Sequence, residues 1–199
     1  MQPKLILASS SPFRRSLMEN AGLVFEWSAA NIDERKIEAE LQESAAGPRE
    51  VAQHLSRAKA MDVSQRYPDA FVIGSDQTMS LGEHVFHKPK NREEAKATLI
   101  ALSGNVHYLN SGISIVRSSH VEWEGVFSAS LHVRELSDRF IERYLDRVGD
   151  KVMTSVGAYQ LEGEGIHLFS RIDGDYFTIL GLPMLPLLEA LRNLGVIDV

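Results

Sequence analysis

The sequence predicts a mixed α/β protein built on one long sheet, and three observations carry that expectation. Short unbroken apolar runs at Leu5-Ile6-Leu7-Ala8 and Phe71-Val72-Ile73 have the pattern of strands buried on both faces. Capped stretches with apolar residues at helical spacing alternate with these runs in the first half of the chain. Further on, Val121, Trp123, Phe127, Ala129, Leu131 and Val133 alternate with polar partners, as in a strand that is wet on one side.

The first run breaks into Ser9-Ser10-Ser11-Pro12, and residues 13–21 read as a helix closed by Gly22. Ser11 suits the N-cap and Pro12 the first helical position, where a missing N–H costs nothing. Residues 24–28 read as a strand, and the polar stretch 31–42 as a partly ordered loop, because its periodicity is weak. A helix is expected from Pro48 to about Tyr67, with Val51, Leu55, Ala58 and Met61 on its apolar stripe. The buried run at 71–73 leads straight into Gly74-Ser75-Asp76-Gln77, and Leu81 to Phe86 holds a glycine turn suited to a hairpin. Asn91 with Glu94 three positions on resembles a capping box for a helix over 92–102, stopped by Ser103-Gly104. Two long strands follow. Ser137 opens a helix carrying Phe140, Ile141, Tyr144, Leu145 and Val148, closed by Gly149. Asp173-Gly174 predicts a hairpin between Leu168-Phe169 and Tyr176-Phe177, and a last helix runs from about Pro183 to Leu194.

With 199 residues and 22.2 kDa, the chain suits one domain (1–199) or two tightly packed lobes. Its 44% hydrophobic content can bury a core, which excludes wholesale disorder. A net charge of −6 argues against a general nucleic-acid binder. The absence of cysteine removes disulfide scaffolds, thiolate zinc sites and cysteine nucleophiles together. The longest apolar stretch, Phe177 to Leu188, is interrupted by Gly181, Pro183 and Pro186 and is too short to span a bilayer. The run after Lys4 is too short for a signal-peptide core, so a cytoplasmic protein without membrane partners is expected. The seven histidines form no H-E-x-x-H pattern, and neither G-x-S-x-G, G-x-G-x-x-G nor a P-loop occurs.

Four segments carry chemistry. The hydroxyls at Ser9 to Ser11, at a helix start bearing Arg14 and Arg15, suit an anion, since free N–H groups and a guanidinium fork both donate to oxygens. The same residues also fit a serine-capped helix with solvated arginines. Asp76 just past a buried strand suits a divalent cation or a proton from water, or else a turn made with its own backbone. Lys59 beside an apolar stripe and Lys88 before Pro89 are cations in unusual settings, or ordinary snorkelling lysines. The stretch Gly157-Ala158-Tyr159-Gln160-Leu161-Glu162-Gly163-Glu164-Gly165 allows close ligand approach, or is an irregular loop.

Together these segments resemble the Maf family of nucleoside triphosphate pyrophosphatases. The likeness runs in register through Leu5-Ile6-Leu7-Ala8-Ser9-x-Ser11-Pro12-x-Arg14-Arg15, Asp33-Glu34, Ala58-Lys59-Ala60, Gly74-Ser75-Asp76-Gln77, Lys88-Pro89, Leu102-Ser103-Gly104, Gly157-Ala158-Tyr159 and Gly181-Leu182-Pro183. The resemblance implies a long mixed sheet with flanking helices and two lobes around a deep nucleotide-binding cleft, as in inosine triphosphatase-like folds. It implies cleavage between the α and β phosphates of a nucleotide, giving the monophosphate and pyrophosphate. By the same likeness Ser9, Arg14, Arg15, Lys59 and Lys88 cradle the phosphates, Glu34 and Asp76 hold Mg²⁺ or Mn²⁺, and Asp76 accepts the proton. Members are often dimeric, so a homodimer is among the expectations.

Three positions bear on the base. The family branch that prefers dTTP and UTP has arginine, threonine and glutamine where this chain has Phe13, Gln77 and Glu162. The 7-methyl-GTP branch has tryptophan, glutamine and glutamate, so all three positions resemble that branch, with Phe13 in place of tryptophan. Methylated guanine is cationic, an aromatic face attracts it, and a glutamate accepts from its N1–H and N2–H groups. Gln160, where relatives carry glycine or lysine, has no counterpart in this scheme. The alternatives are a dTTP- or UTP-preferring enzyme of the same family and a non-catalytic, nucleotide-binding regulator of cell division. A Nudix hydrolase is excluded because its acidic box is missing.

Overall fold

The computed structural model describes residues 3–198. Leu5–Leu7 (β1) pairs in parallel on both edges, with Glu26–Trp27 (β2) on one side and with residues 71–73 of Phe71–Leu81 (β3) on the other. Its two faces enter different apolar clusters. Leu5 and Leu7 pack with Leu17 and Met18 of Pro12–Asn20 (α1) and with Leu187 and Leu191 of Met184–Asn193 (α7). Ile6 and Ala8 face Ala60 and Val63 of Pro48–Arg66 (α3). A strand covered on both sides has no polar face, which is why it reads as an unbroken apolar run.

The full sheet has the order β2-β1-β3-β5-β6-β7, with β4 paired to β3; these further strands are His84–Phe86 (β4), Val106–Arg117 (β5), His120–Val133 (β6) and Phe169–Asp173 (β7). The remaining helices are Glu34–Glu43 (α2), Arg92–Leu102 (α4), Asp138–Val148 (α5) and the single turn Tyr176–Ile179 (α6). The mixed α/β expectation is borne out. Among the described residues no helix is long and apolar enough to cross a membrane.

The chain divides into two compact units. One comprises the chain up to Thr78, Asn110–Ser128 and everything from Asp175 on; it holds β1, β2, α1 to α3, α6 and α7. Its α3 lies unusually close to the sheet. A Cβ placed on Gly74 of β3 would stand 2.0 Å from the Ser56 carbonyl oxygen, and one on Gly112 of β5 only 2.4 Å from that of Ala52. The buried face of α3 is accordingly small, with Ala52, Ser56, Ala60 and Ser64 all fully covered, while Ala58 and Met61 from the expected stripe are only half-buried. Apolar periodicity marks large residues and so misses a face selected for close approach.

Three further expectations need correction. The stretch read as a partly ordered loop at 31–42 contains α2, whose N-cap is Asp33 accepting from the Lys36 N–H at 3.1 Å. None of its residues is fully buried, so it leaves no apolar stripe to read. Gly74-Ser75-Asp76-Gln77 does not end its strand; β3 continues to Leu81 and there forms the expected hairpin with β4, turned at Gly82 with φ of +58°. Asp173-Gly174 closes β7 without a hairpin, because Asp175 accepts the Thr178 N–H at 3.0 Å and starts α6 instead.

The second unit, Met79–Leu109 with Ala129–Gly174, holds β4, β7, α4 and α5. Ser137 caps α5 as expected, accepting from Phe140. In this unit Gly157-Ala158-Tyr159 serves packing. The Tyr159 ring lies where a side chain on residue 157 would be, and its hydroxyl meets His107 Nε2 at 2.7 Å. His107 is fully buried beside Phe169, its Nδ1 has no partner, and burial pushes its pKa down from 6.5 to about 4. The unfolded chain therefore takes up a proton below pH 6.5 that the folded chain refuses until about pH 4. Stability from this neutral ring is full above pH 6.5 and is lost as pH falls, by up to ~1.4 kcal/mol per pH unit. Urea unfolding at pH 7.5 and 5.5 should show that loss in the parent and a smaller one in His107→Gln; equal losses would remove His107 as its source.

Candidate active site

Both strands of the parallel pair β1 and β3 deliver functional side chains where β1 stops. Beyond Leu7 the chain turns through Ser9 into α1, while β3 runs on past Ile73 and presents Asp76. Ser9 is buried, and its Oγ accepts from the Ser11 N–H at 3.2 Å and from Arg14 Nη1 at 3.4 Å. Ser11 is the N-cap of α1 with Pro12 in the first turn, as the sequence indicates. The helix start places Arg14 over the strand ends, where Nη1 donates to the Ser75 carbonyl at 2.8 Å and Nε to the Gly181 carbonyl at 2.9 Å. Its Nη2 has no protein partner among the described residues. Burial draws the Arg14 pKa below its ordinary value, opposed by the charges of Asp76 and Glu34.

Lys59 completes the group. The close approach of α3 to Gly74 brings its Nζ within 2.6 Å of Asp76 Oδ1, and Glu34 from the first turn of α2 places Oε1 at 3.0 Å from the same nitrogen. Lys59 and Asp76 are each only 11% exposed in their side chains, whereas Glu34 is half-exposed. A nearly buried ammonium and carboxylate are tolerable only as a pair, since either alone keeps a large desolvation cost. Asp76 Oδ2 is left without a protein partner among the described residues. Glu34 and Asp76 are the oxygen donors that could hold a cation here; no group of three or more His, Asp or Glu side chains converges among the described residues.

The structure thus brings together Ser9, Arg14, Glu34, Lys59 and Asp76. Arg15 points elsewhere, its guanidinium stacked 4.4 Å over the Trp27 ring. Phe13 is 44% exposed at the start of α1. Gln77 has its amide nitrogen committed to Ser111 Oγ, the Thr178 carbonyl and the Ile179 carbonyl at 2.9 to 3.1 Å. Lys88, beside buried Pro89 after β4, and Glu162, in the turn before residues 164–168, belong to the second unit, where both are exposed. Sequence reasoning passed over Ser111, whose buried hydroxyl donates to the Thr178 carbonyl at 2.9 Å; a serine inside an apolar strand was the available sign.

A 7-methyl-GTP pyrophosphatase of Rhizobium etli is 63% identical over 198 residues, and one of Rhizobium meliloti 62%, each covering the whole of both chains. A solved structure of a nucleoside-triphosphatase, dITP/XTP pyrophosphatase, from Mycobacterium abscessus overlaps 67% of this chain and 75% of its own at 15% identity and a TM-score of 0.38. Residues 4–194, which include every residue of the cluster, match the family described as Maf-like protein, and the chain belongs to the Maf family.

Proposed function

We propose that this chain is a nucleoside triphosphate pyrophosphatase that hydrolyses the α–β anhydride of 7-methyl-GTP, releasing the monophosphate and pyrophosphate. The observation that carries the reading is the pairing of Lys59 with two carboxylates, Asp76 and Glu34, next to the Ser9 and Arg14 anion site. Carboxylates facing a triphosphate can hold a divalent ion, and hydrolysis needs a proton acceptor besides, which Asp76 supplies.

Asp76 Oδ2 takes the proton of the attacking water, whose oxygen bonds to phosphorus as the bridging P–O bond breaks and pyrophosphate leaves. Lys59 holds Oδ1 of the same carboxylate and fixes which oxygen faces the water. Arg14 Nη2 and Ser9 supply donors to the phosphates, where charge builds during the reaction. Glu34 and Asp76 fit a hard divalent ion, Mg²⁺ or Mn²⁺, because such ions take one or two carboxylates and fill the rest of their shell with water and phosphate oxygens. When bound, that ion neutralises developing phosphate charge.

For the base, Phe13 offers an exposed aromatic face, which favours a cationic purine over a pyrimidine. The two Rhizobium relatives carry the matching name. Pyrophosphate release from 7-methyl-GTP, GTP, dTTP and UTP tests the reading, with 7-methyl-GTP expected to give the highest kcat/KM. Phe13→Ala should lower activity on 7-methyl-GTP more than on GTP by roughly 2- to 30-fold, the worth of a cation–π contact. A parent that prefers UTP or dTTP discards the base assignment and keeps the pyrophosphatase. A parent that binds nucleotides and releases no pyrophosphate leaves the non-catalytic regulator.

A further inference from the structure

Residues 178–181, from the end of α6 into the turn before α7, are tied to the site by side-chain hydrogen bonds. The Gly181 carbonyl accepts from Arg14 Nε at 2.9 Å and from Ser75 Oγ at 2.8 Å. The Thr178 carbonyl accepts from Gln77 Nε2 and from Ser111 Oγ, both at 2.9 Å, and also from the Gly181 N–H at 3.1 Å. Gln77 reaches the Ile179 carbonyl as well. All of Ser75, Ser111, Thr178 and Gly181 are buried, so these bonds are not exchanged for water. At Gly181 the backbone has φ of +89°, and a Cβ there would stand 3.4 Å from Arg14 Nη2 and 3.5 Å from Nε. These are ordinary contact distances, so the backbone φ, and not the space, calls for glycine at this position.

We propose that residues 178–181 form a template that sets the direction of the Arg14 guanidinium, and that Ser75, Gln77 and Ser111 are positioning residues that hold the template. Arg14 has two of its donor positions used on the Ser75 and Gly181 carbonyls, which leaves Nη2 aimed by the same two bonds. A carbonyl held by Ser75 cannot drift, and the turn behind it cannot rotate while Gln77 and Ser111 hold Thr178. Gln77 then affects the nucleotide through Arg14 and the phosphates, its amide donors being spent inside the protein. This rests on the reading of Arg14 as a phosphate ligand.

The probe is inorganic tripolyphosphate, which has phosphates and no base, with binding followed by calorimetry on the full chain. Ser75→Ala and Gln77→Met should each weaken its binding by roughly 5- to 30-fold, the worth of one or two buried hydrogen bonds. In an Arg14→Ala background neither change should weaken it further, since the residue they act through is gone. Steady-state kinetics should show both variants losing activity on 7-methyl-GTP and UTP by the same factor. Losses that add to that of Arg14→Ala, or a changed 7-methyl-GTP to UTP ratio at parental tripolyphosphate affinity, would overturn the template. A Ser75→Ala protein that merely melts earlier while binding tripolyphosphate like the parent assigns Ser75 to stability and overturns its positioning role. A parent that binds no tripolyphosphate and cleaves no nucleotide overturns the pyrophosphatase reading itself, and the template falls with it.

Discussion

Asp76→Asn should cut kcat on 7-methyl-GTP by at least ~10²-fold while leaving the fold in place. The amide matches the carboxylate in size, so the pocket around a side chain only 11% exposed need not rearrange. What it loses is the proton acceptor and the negative charge. An amide does not take a proton from water near neutral pH, and it attracts neither Lys59 nor a divalent ion as a carboxylate does. Lys59 keeps Glu34 at 3.0 Å, which spares it from being an unpaired buried cation. Circular dichroism and the midpoint of thermal unfolding establish that the variant is folded, and pyrophosphate release measures the loss. Hydrolysis at the parental rate by a folded Asn variant removes Asp76 from the proton-transfer step.

Gly74→Ala should destabilise the protein by about 3 kcal/mol or more, at the upper end of overpacking effects. The added methyl would stand 2.0 Å from the Ser56 carbonyl oxygen, 2.8 Å from the Ala60 nitrogen and 2.9 Å from the Ala60 Cβ. The first two are backbone atoms of α3, and no rotamer change can move them. The helix must back away from β3, giving up buried contacts at Ala52, Ser56 and Ala60. For a chain of this size the penalty corresponds to a fall in Tm of about 6–12 °C, read by calorimetry. Activity should fall as well, because the displaced helix carries Lys59 and the 2.6 Å contact with Asp76 depends on its position. An unchanged Tm would mean that α3 does not lie against Gly74.

Local signals settle much of this molecule. Ser11-Pro12 fixes the start of α1 because a cap and a preset φ act within one turn, and Gly82 fixes the β3–β4 hairpin in the same way. The unbroken run at 5–7 announces a strand covered on both faces, since burial leaves no room for polar residues. The motif residues Ser9, Arg14, Lys59 and Asp76 are legible in sequence as polar or charged groups set beside apolar runs and helix caps, and Glu34 only through the family resemblance, because its stretch carries no periodicity. Their partners are not. Lys59 and Asp76 lie 17 positions apart, and Arg14 and Gly181 167 apart, so only folding brings them within hydrogen-bond distance. The sequence cannot say that Arg15 turns to Trp27 while its neighbour turns inward, because that depends on which face of α1 meets the sheet. Nor does it separate a glutamine that reads a base from one that ties down a backbone turn. Residue type and local spacing determine the elements and the inventory of chemical groups; tertiary packing alone decides which donors are consumed inside the protein and which remain for a ligand, because hydrogen bonds between distant segments leave no periodic trace in the chain.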